Sequence, residues 1–433
     1  MIRFIYNLFW PIGLLFFLPG YLAKMLRRGG YREKFGQRLG IYDAELCVSL
    51  AKRESTWLHA VSVGEVNIAL KLAHALRALE PDLRCVLTTT TTTGFALATK
   101  TAAPWINVLY TPLDYWPIMR RAFSLIKPTR ILLVEAEVWP NLVALAHERR
   151  IPTILVNARL SPRSERRFRR FRLFVAPTFR LLDLVCAQEA DDVGRWVAIG
   201  VARNRIRAVG SIKYDPDGRD QGLNAQESEQ RPDFNRADRE SPVLFGGSTH
   251  RGEEEILASI FLRLRPQFPS LRLFIAPRHV ERLREIRAQF DALSIRATLA
   301  SEVAIGRESD ADCIVLDTTG ELHRWYAIAT IVFIGKSLTA HGGQNPVEPI
   351  IAGKPVLFGP HMENFATLAK ALVLKKGAIQ VGDMNSLELT IAKLLRDSEA
   401  CQRLVQRARE VLGEHQGATA RTAALIHEIN PGL

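Results

Sequence analysis

The sequence predicts an α/β protein with two lobes, each built on a parallel sheet and facing a common cleft. Strand-like and helix-like segments alternate from residue 56 to residue 156, and the alternation starts again at residue 243. Alternation at these lengths is typical of βαβ units, whose strands run parallel. A polar segment, residues 215–240, separates the two regions and has the composition of a linker or mobile loop. A chain of 433 residues also exceeds what one hydrophobic core normally supports.

Within each region, apolar strand-like runs are separated by patterns with the apolar spacing of a helix. Predicted strands of the first region cover residues 56–62, 85–89, 108–110, 130–134 and 153–156, and its helices cover 66–79, 94–100, 116–126 and 139–149. Predicted strands of the second region cover residues 243–245, 271–276, 313–316, 331–334 and 356–358, with helices at 253–264 and 281–290. No sequence repeat relates the two regions.

The N-terminal segment, residues 4–23, has no charged side chain and is dominated by Phe, Leu, Ile and Trp. Twenty such residues are the minimum for a membrane-spanning helix, although Asn7, Pro11 and Pro19 weaken a straight one. The basic residues of 24–38 place that flank in the cytoplasm, and no small-residue cleavage site is evident. The sequence predicts an uncleaved membrane anchor helix; an apolar helix docked on its own domain is the alternative.

These features divide the chain into four parts. Residues 1–35 form the anchor and its basic flank, residues 36–214 the first lobe, residues 215–240 the polar linker and residues 241–433 the second lobe. A return of the C-terminal helix to the first lobe is left open.

The net charge of +13 favours anionic partners, which include nucleic acid, anionic membranes and phosphorylated substrates. The five cysteines are far apart and form no CxxC pair, so neither a disulfide framework nor a zinc–cysteine site is expected, and a reducing cytoplasm fits best. The histidines show no HxxxH spacing, and we predict no structural metal.

Acidic residues follow two predicted strands, where ligands of open α/β sheets bind. Glu65, in Ser62-Val63-Gly64-Glu65, is expected in the first turn of a helix. It could take a proton from an attacking hydroxyl, or it could simply complement the helix dipole. Glu135 and Glu137 follow the strand 130–134 and share a face if that strand continues, where their like charges raise one pKa or require a cation. A polar loop that starts a helix is the alternative for this pair.

Four polar, glycine-containing or basic loops follow strands of the second region and together suit a nucleotide pocket. They are Gly246-Gly247-Ser248-Thr249, Pro277-Arg278-His279, Thr318-Thr319-Gly320-Glu321-Leu322, and residues 342–349 with Asn345-Pro346-Val347-Glu348. None is a Walker A motif.

A further stretch, residues 159–172, carries seven arginines with Phe168, Phe171 and Phe174 at helical spacing. This pattern predicts one of two structures. The first is a basic amphipathic helix that contacts anionic lipid, and the second is a helix whose phenylalanines pack in the core while its basic face is exposed to solvent.

Residues 57–65, 135–141, 210–215 and 342–349, in this order, resemble the motifs of the 3-deoxy-D-manno-octulosonic acid (Kdo) transferases of lipopolysaccharide synthesis. The resemblance covers nearly the whole chain. It implies a GT-B fold with two Rossmann-like lobes, the acceptor in the first and the nucleotide sugar in the second. Ala136 and Tyr214 stand where many members have Thr and Phe.

The resemblance also implies roles for individual residues. Glu65 matches the family's general base, and Glu135 and Lys213 match its transition-state helpers. The contacts to CMP-Kdo match Ser248, Pro277, Arg278, Gly320, Glu321, Leu322, Asn345, Pro346, Val347 and Glu348.

The implied reaction is an inverting, metal-independent transfer of Kdo from CMP-Kdo to lipid IVA, the lipid A precursor, at the cytoplasmic side of the inner membrane of a Gram-negative cell. No cofactor and no nucleic-acid partner is expected. The alternatives are another lipid-directed GT-B enzyme with a different nucleotide sugar, and a non-enzymatic, membrane-tethered binding protein on the same fold.

Overall fold

The computed structural model describes residues 3–10, 34–51, 54–160, 162–215, 241–302, 311–317 and 322–429. The chain divides into two compact units. Unit 1 comprises Met1–Asp215 and His415–Leu433, and unit 2 comprises Pro216–Glu414. The chain therefore leaves unit 1 at the start of the predicted polar linker, of which residues 216–240 lie outside the described residues, and returns to unit 1 near its C-terminus.

Unit 1 is built on a seven-stranded parallel sheet with the order β3-β2-β1-β4-β5-β6-β7. Its strands are β1 (Ser55–Ala60), β2 (Cys85–Thr89), β3 (Ile106–Tyr110), β4 (Pro128–Val134), β5 (Thr153–Ala158), β6 (Leu184–Ala187) and β7 (Ile206–Ala208). The first five lie at the predicted runs. The last two, β6 and β7, were not among the predicted strands.

The helices of unit 1 follow the strands. They are α1 (Ala44–Ala51), α2 (Val63–Leu79), α3 (Thr92–Thr101), α4 (Trp116–Ile126), α5 (Pro140–Glu148), α6 (Pro162–Arg170), α7 (Arg172–Phe179) and α8 (Asp192–Ala198), with 3-10 helices at Phe35–Leu39 and Arg203–Arg205. Both faces of the sheet are buried: the neighbouring residues Trp57 and Leu58 of β1 point into two different apolar clusters. Burial on both faces explains why the strands read as continuous apolar runs.

The C-terminal helix belongs to unit 1. This helix, residues Ala418–Glu428, packs against α2 and contributes Ala423 and Ile426 to the core. Asp215 caps its N-terminus, because one carboxylate oxygen accepts from Gly417 N at 2.7 Å and the other from Thr419 N at 2.8 Å. The two places where the chain crosses the unit boundary are thus joined by hydrogen bonds within unit 1.

Unit 2 is built on a second seven-stranded parallel sheet with the order β10-β11-β9-β8-β12-β13-β14. Its strands are β8 (Val243–Thr249), β9 (Arg272–Pro277), β10 (Ala297–Leu299), β11 (Cys313–Val315), β12 (Ile331–Ile334), β13 (Val356–Phe358) and β14 (Ile379–Gln380).

The helices of unit 2 are α9 (Glu253–Leu264), α10 (Leu283–Ala292), α11 (Leu322–Tyr326), α12 (Val347–Ile351), α13 (Ala366–Leu374), α14 (Met384–Arg396) and α15 (Ser398–Gly413); we name the C-terminal helix of unit 1 α16. Short 3-10 helices cover Val280–Arg282, Ala300–Glu302 and Glu363–Phe365. Leu257 and Phe261 of α9 pack on one face of the sheet, and an aromatic group of Phe245, Phe274 and Tyr326 fills the other.

A short N-terminal helix covers residues 3–10, and the remainder of the predicted anchor, residues 11–23, lies outside the described residues. Among the described residues, no helix has both the length and the apolar character needed to cross a membrane. One side of the short helix is fixed to unit 1: the amides of Asn7 and Asn141 donate to each other at 2.8 and 2.9 Å, and the Tyr6 hydroxyl donates to Asp114 at 3.1 Å. The apolar residues Phe4, Ile5, Leu8 and Phe9 remain exposed.

The arginine-rich stretch forms two helices rather than one, since α6 ends at Arg170 and α7 begins at Arg172. Phe168 packs edge-on against Phe179 of the core, whereas Phe171 and Phe174 are exposed. The phenylalanines therefore do not act as one stripe. The first is partly buried and packs against the core, and the other two lie on a surface that also carries exposed arginines.

Candidate functional site

Acidic side chains gather at the carboxyl ends of β1 and β4. These strands are hydrogen-bonded neighbours, and the order of the first sheet reverses between them. Ligands of open parallel sheets bind at such a switch point, because the loops on its two sides diverge and leave a crevice. Glu65 lies in the first turn of α2, which follows β1, and Glu135 comes directly after β4.

Glu65 is half-buried and held in place by the turn that starts α2. Ser62 is the N-cap residue and accepts from the Glu65 N–H. In return, the Ser62 hydroxyl donates to Glu65 Oε1 and the Val61 N–H donates to Glu65 Oε2, both at 2.8 Å. Burial raises the pKa of Glu65, and the negative charge of Glu135 raises it further against these hydrogen bonds. A fixed carboxylate with a raised pKa is suited to accept a proton.

Glu135 does not continue β4, so the condition for Glu135 and Glu137 to share a strand face is not met. The strand ends at Val134, and Glu135 adopts a left-handed conformation with φ 63° while its N–H donates to Val156 O at 3.0 Å. Non-glycine residues rarely adopt this conformation, and such strain often marks functional sites. Burial, followed by the charges of Glu65 and Glu135, raises the pKa of Glu137 to about 7. The three carboxyl groups therefore form one electrostatic cluster.

Lys213 lies next to this cluster, in the loop that follows β7. Burial lowers the pKa of Lys213, the nearby charge of Glu135 acts to raise it, and Arg159 acts to lower it. The loop is anchored to the end of β5, since the Asn157 side-chain oxygen accepts from Ile212 N at 3.0 Å and from the Ser211 hydroxyl at 3.3 Å. Unit 1 thus brings Glu65, Glu135 and Lys213 together.

A hydrogen bond between His59 and Trp139 joins β1 to the loop that carries Glu135 and Glu137. The sequence analysis did not predict this pair. The Trp139 indole N–H donates to His59 Nε2 at 3.1 Å, and His59 Nδ1 lies 3.1 Å from the Thr88 hydroxyl. Because Nε2 accepts, the proton of the neutral ring lies on Nδ1 and is donated to threonine. His59 is fully buried, and burial lowers its pKa to about 4. The feature of the sequence that could have pointed to this pair is a histidine within a largely apolar strand.

In unit 2, the loops after β8, β9 and β12 meet at the second switch point, which lies between β8 and β12. Thr249 pairs with Pro277, and the Arg278 N–H donates to Thr249 O at 3.0 Å. Ser248 has a left-handed φ of 54°. A side chain on Gly335 would place its Cβ 2.2 Å from Ser248 O, so only glycine allows these two loops to approach so closely.

Glu253 fixes these loops and was not predicted as a site residue. It is fully buried at the start of α9. Its Oε2 accepts from the N–H groups of His250 and Lys336 at 2.8 and 2.7 Å, and its Oε1 accepts from those of Ser337 and Leu338, both at 3.0 Å. One carboxylate therefore holds the backbone of two loops. A run of three glutamates at a helix start was visible in the sequence, but three of the four partners lie 83 to 85 positions away.

Asn345 and Glu348 form a pair at the start of α12. The Asn345 amide donates to Glu348 Oε1 at 3.0 Å, while its side-chain oxygen accepts from Val347 N at 3.0 Å. Pro346 is the N-cap residue of this helix. The preceding Gln344 approaches His250 of the β8 loop at 3.4 Å. Glu348 is therefore oriented at a helix start beside the β8 and β12 loops.

The remaining proposed contacts belong to the loop after β11. Leu322 is half-buried and begins α11, whereas Gly320 and Glu321 lie outside the described residues. The structure therefore brings together the loops of Ser248, Pro277, Arg278 and Asn345–Glu348, and it leaves the placement of two predicted contacts open.

Comparisons with known proteins agree with this architecture. The family model described as 3-Deoxy-D-manno-octulosonic-acid transferase (kdotransferase) matches residues 33–216. A 3-deoxy-D-manno-octulosonic acid transferase of Haemophilus influenzae is 32% identical over 397 residues, which cover 92% of this chain and 91% of that protein. The protein of the same description from Bordetella pertussis is 32% identical over 412 residues, which cover 93% of each chain.

Solved structures show the same fold at low sequence identity. The UDP-GlcNAc 2-epimerase of Neisseria meningitidis bound to UDP-GlcNAc is 15% identical with a TM-score of 0.57, and the match covers 87% of this chain and 99% of that one. A glycosyltransferase of kitacinnamycin is 14% identical with a TM-score of 0.53, covering 88% of this chain and 100% of that one. Two parallel-sheet α/β lobes of this kind resemble the GT-B glycosyltransferases.

The expected fold class of two such lobes is therefore confirmed. Two relatives at 32% identity align with this chain over more than nine-tenths of their length. The motifs that suggested the family lie at or after the carboxyl ends of strands in both units. The chain belongs to the 3-deoxy-D-manno-octulosonic acid (Kdo) transferase family, a family of glycosyltransferases.

Proposed function

We propose that this protein transfers Kdo from CMP-Kdo to lipid IVA in lipopolysaccharide core synthesis, by an inverting and metal-independent reaction with Glu65 as the general base. The observation that carries this proposal is the cluster of Glu65, Glu135, Glu137 and Lys213 at the switch point of unit 1, in a chain of the Kdo transferase family. The resemblance supplies the donor and the acceptor, and the geometry supports the assignment of roles.

The first step that the proposal requires is removal of a proton from the acceptor's sugar hydroxyl as it attacks the anomeric carbon. Glu65 is suited to this step because its carboxylate is oriented by Val61 and Ser62 and because its pKa is raised. Glu135 and Lys213 are the proposed transition-state helpers. Their opposite charges are close enough to affect the Lys213 pKa, so they can balance charge as the bond to Kdo forms.

Unit 2 is the proposed binding site of the CMP moiety. CMP leaves as a phosphate monoester with growing negative charge, which the exposed guanidinium of Arg278 can stabilise. Glu348 can accept hydrogen bonds from the ribose hydroxyls, as acidic residues do in other nucleotide sites. Asn345 orients Glu348 for this contact.

Exposed apolar side chains on unit 1 support the proposal of a lipid acceptor. The N-terminal helix exposes Phe4 at 72% and Leu8 at 57%, and the start of α7 exposes Leu173 at 84%. Exposed arginines of α6 and α7 lie beside Leu173 in the chain, so this part of unit 1 carries both the apolar and the cationic side chains that interfacial helices use. We propose that these side chains and the N-terminal segment hold the enzyme at the cytoplasmic side of the inner membrane.

The test is a transfer assay with purified protein, lipid IVA and CMP-Kdo generated in situ, with the product read by mass spectrometry. We expect the product mass to rise by one or more Kdo units, with and without a chelator. Glu65→Gln should lower the rate at least ~100-fold, since a general base contributes about that much. Glu399→Gln, which changes an exposed glutamate of α15, is the matched control and should retain full activity.

Other results assign the function differently. Transfer from a UDP- or ADP-sugar, with none from CMP-Kdo, would overturn the donor assignment. CMP binding without transfer to any lipid would favour the binding-protein alternative. Full activity of Glu65→Gln would remove Glu65 from the role of base.

A further inference from the structure

Two histidines and one glutamate, none of which was given a role above, converge on neighbouring loops of unit 2. His341 lies in the loop after β12, and His361 and Glu363 lie in the segment after β13. His341 Nδ1 is 3.2 Å from Glu363 Oε1, and His361 Nδ1 is 3.5 Å from the same oxygen. The three possible ligand atoms lie within 4.8 Å of one another, and within the described ranges no other group of three such side chains converges in this way.

We propose that His341, His361 and Glu363 bind a divalent transition metal ion, with zinc as the best fit. Zinc is held by imidazole nitrogens and carboxylate oxygens at about 2.0–2.2 Å, and a tetrahedron with such bonds has edges of roughly 3.4 Å. The two nitrogen–oxygen distances of 3.2 and 3.5 Å match these edges. Two imidazoles favour zinc, nickel or copper over magnesium and calcium, which prefer oxygen ligands.

The backbone around the cluster holds the ligands in place before an ion arrives. The Gly342 N–H donates to Glu363 Oε2 at 2.6 Å and so orients the carboxylate, leaving Oε1 to face the histidines. The Asn364 N–H donates to Gly342 O at 2.8 Å, and the His361 N–H donates to Ser337 O at 3.0 Å. Outer hydrogen bonds of this kind orient ligands and strengthen metal binding.

An ordinary surface ion pair is the competing explanation, because the His341 side chain is 77% exposed. Two features favour a metal site. Both Nδ1 atoms lie close to the same carboxylate oxygen, and that carboxylate is fixed from its other side by the Gly342 N–H. Exposure gives the ion a path of entry and leaves its fourth position to water. The ligands come from two loops, so a bound ion would connect these loops and stabilise unit 2.

The test uses the full-length protein without a polyhistidine tag, treated with a chelator and then desalted. Zn²⁺ is titrated against a chromophoric competitor, and Co²⁺ absorption gives an independent measure of the ligand set. We expect one ion per chain, a rise in Tm on addition of Zn²⁺, and a Kd at least ~10-fold weaker in His341→Ala, His361→Ala and Glu363→Gln. Gln at position 363 can still accept from Gly342 N, so that variant removes charge with little disturbance of the loop.

His147→Ala, which removes an exposed histidine of α5, is the control and should bind Zn²⁺ with unchanged affinity. Circular dichroism establishes that each variant is folded. Equal Zn²⁺ affinity in the wild type and in all three cluster variants would place the ion elsewhere and overturn the proposal. Absence of binding by the wild type at millimolar Zn²⁺ would overturn it as well. Neither readout depends on transfer activity, so this result and that of the proposed function are distinguishable.

Discussion

The indole N–H of Trp139 donates to Nε2 of His59 at 3.1 Å, and this bond connects the loop that carries the acidic cluster to the centre of the first sheet. His59 is fully buried in β1, and Trp139 is the N-cap residue of α5. Glu135 and Glu137 lie between β4 and this tryptophan. The positions of Glu135 and Glu137 therefore depend on a hydrogen bond between two residues that are not themselves proposed to contact substrate.

Replacing Trp139 by Phe removes this donor and leaves His59 Nε2 buried without it. We expect the free energy of unfolding to fall by about 1–3 kcal/mol, the usual cost of an unsatisfied buried polar group, and kcat to fall roughly 10-fold as the loop shifts. Urea unfolding and the transfer assay measure the two effects. The control is Trp196→Phe, because the indole N–H of Trp196 is also buried but has no protein partner among the described residues. Equal kcat losses in the two variants would show that loss of indole volume, and not the hydrogen bond, is responsible.

The low pKa of His59 predicts a specific dependence of stability on pH. Burial lowers this pKa to about 4, whereas an exposed histidine titrates near 6.5. Between these values the unfolded chain binds a proton that the folded protein does not, so the stabilising contribution is present above pH ~6.5 and is lost as the pH falls through about 4. We expect a loss of about 2 kcal/mol between pH 7 and pH 5 from this residue. His59→Gln keeps an acceptor for Trp139, and in urea unfolding it should show a pH slope smaller by that amount; an unchanged slope would contradict the assignment.

Glu137 should be visible in the pH profile of the reaction. Its pKa is raised to about 7 by burial and by the charges of Glu65 and Glu135. Ionisation of Glu137 makes Glu65 a stronger base, so kcat/KM should rise with pH through an apparent pKa near 7 that belongs to the coupled cluster. In Glu137→Gln this rising limb should move to lower pH, because a neighbouring negative charge is absent. A limb near pH 7 that persists in Glu137→Gln would assign it to another group.

The sequence located the acidic cluster because strand ends can be recognised from local patterns and because ligands bind at the carboxyl ends of parallel strands. It could not pair His59 with Trp139 or Glu253 with Ser337, since these contacts join positions 80 and 84 residues apart. Phe171 and Phe174 share a helical spacing with Phe168, yet the chain bends between α6 and α7 and only Phe168 reaches the core. The spacing of apolar residues indicates which of them share a face of one helix. It does not indicate where that helix ends unless the sequence also contains a strong helix-terminating residue.

Glu253 should matter for both stability and sugar-donor binding. Glu253→Ala leaves four backbone N–H groups without their acceptor, and Ser337 is among the fully buried residues. We expect a loss of at least about 3 kcal/mol in the free energy of unfolding and a CMP affinity at least ~10-fold weaker, because the loops of Ser248 and Lys336 lose their common support. Glu255→Ala changes an exposed glutamate two positions along the same helix and is the control. CMP binding by calorimetry at a temperature where both variants are folded separates the two effects, and unchanged affinity would limit Glu253 to a role in stability.

The C-terminal helix should stabilise unit 1 through Glu80. Arg130, which is 2% exposed, donates to both Glu80 oxygens at 2.9 and 2.6 Å, and His427 of α16 lies 2.9 Å from Glu80 Oε1. Burial acts to raise the pKa of Glu80, but these hydrogen bonds outweigh it and the pKa is lowered. The contribution is therefore present above the ordinary glutamate pKa of about 4.3 and is lost as the pH falls through the lower folded value.

Glu80→Gln leaves the Arg130 charge buried without its partner, and we expect it to cost about 3–5 kcal/mol at pH 7 in urea unfolding. Glu45→Gln, on the exposed surface of α1, should cost almost nothing. Arg130→Met in the Glu80→Gln background should recover part of the loss, because it removes the unpaired charge and keeps an apolar side chain. If Glu80→Gln costs no more than Glu45→Gln, the pair contributes no net stability, and the attachment of α16 rests on the Asp215 cap and on the apolar contacts of Ala423 and Ile426.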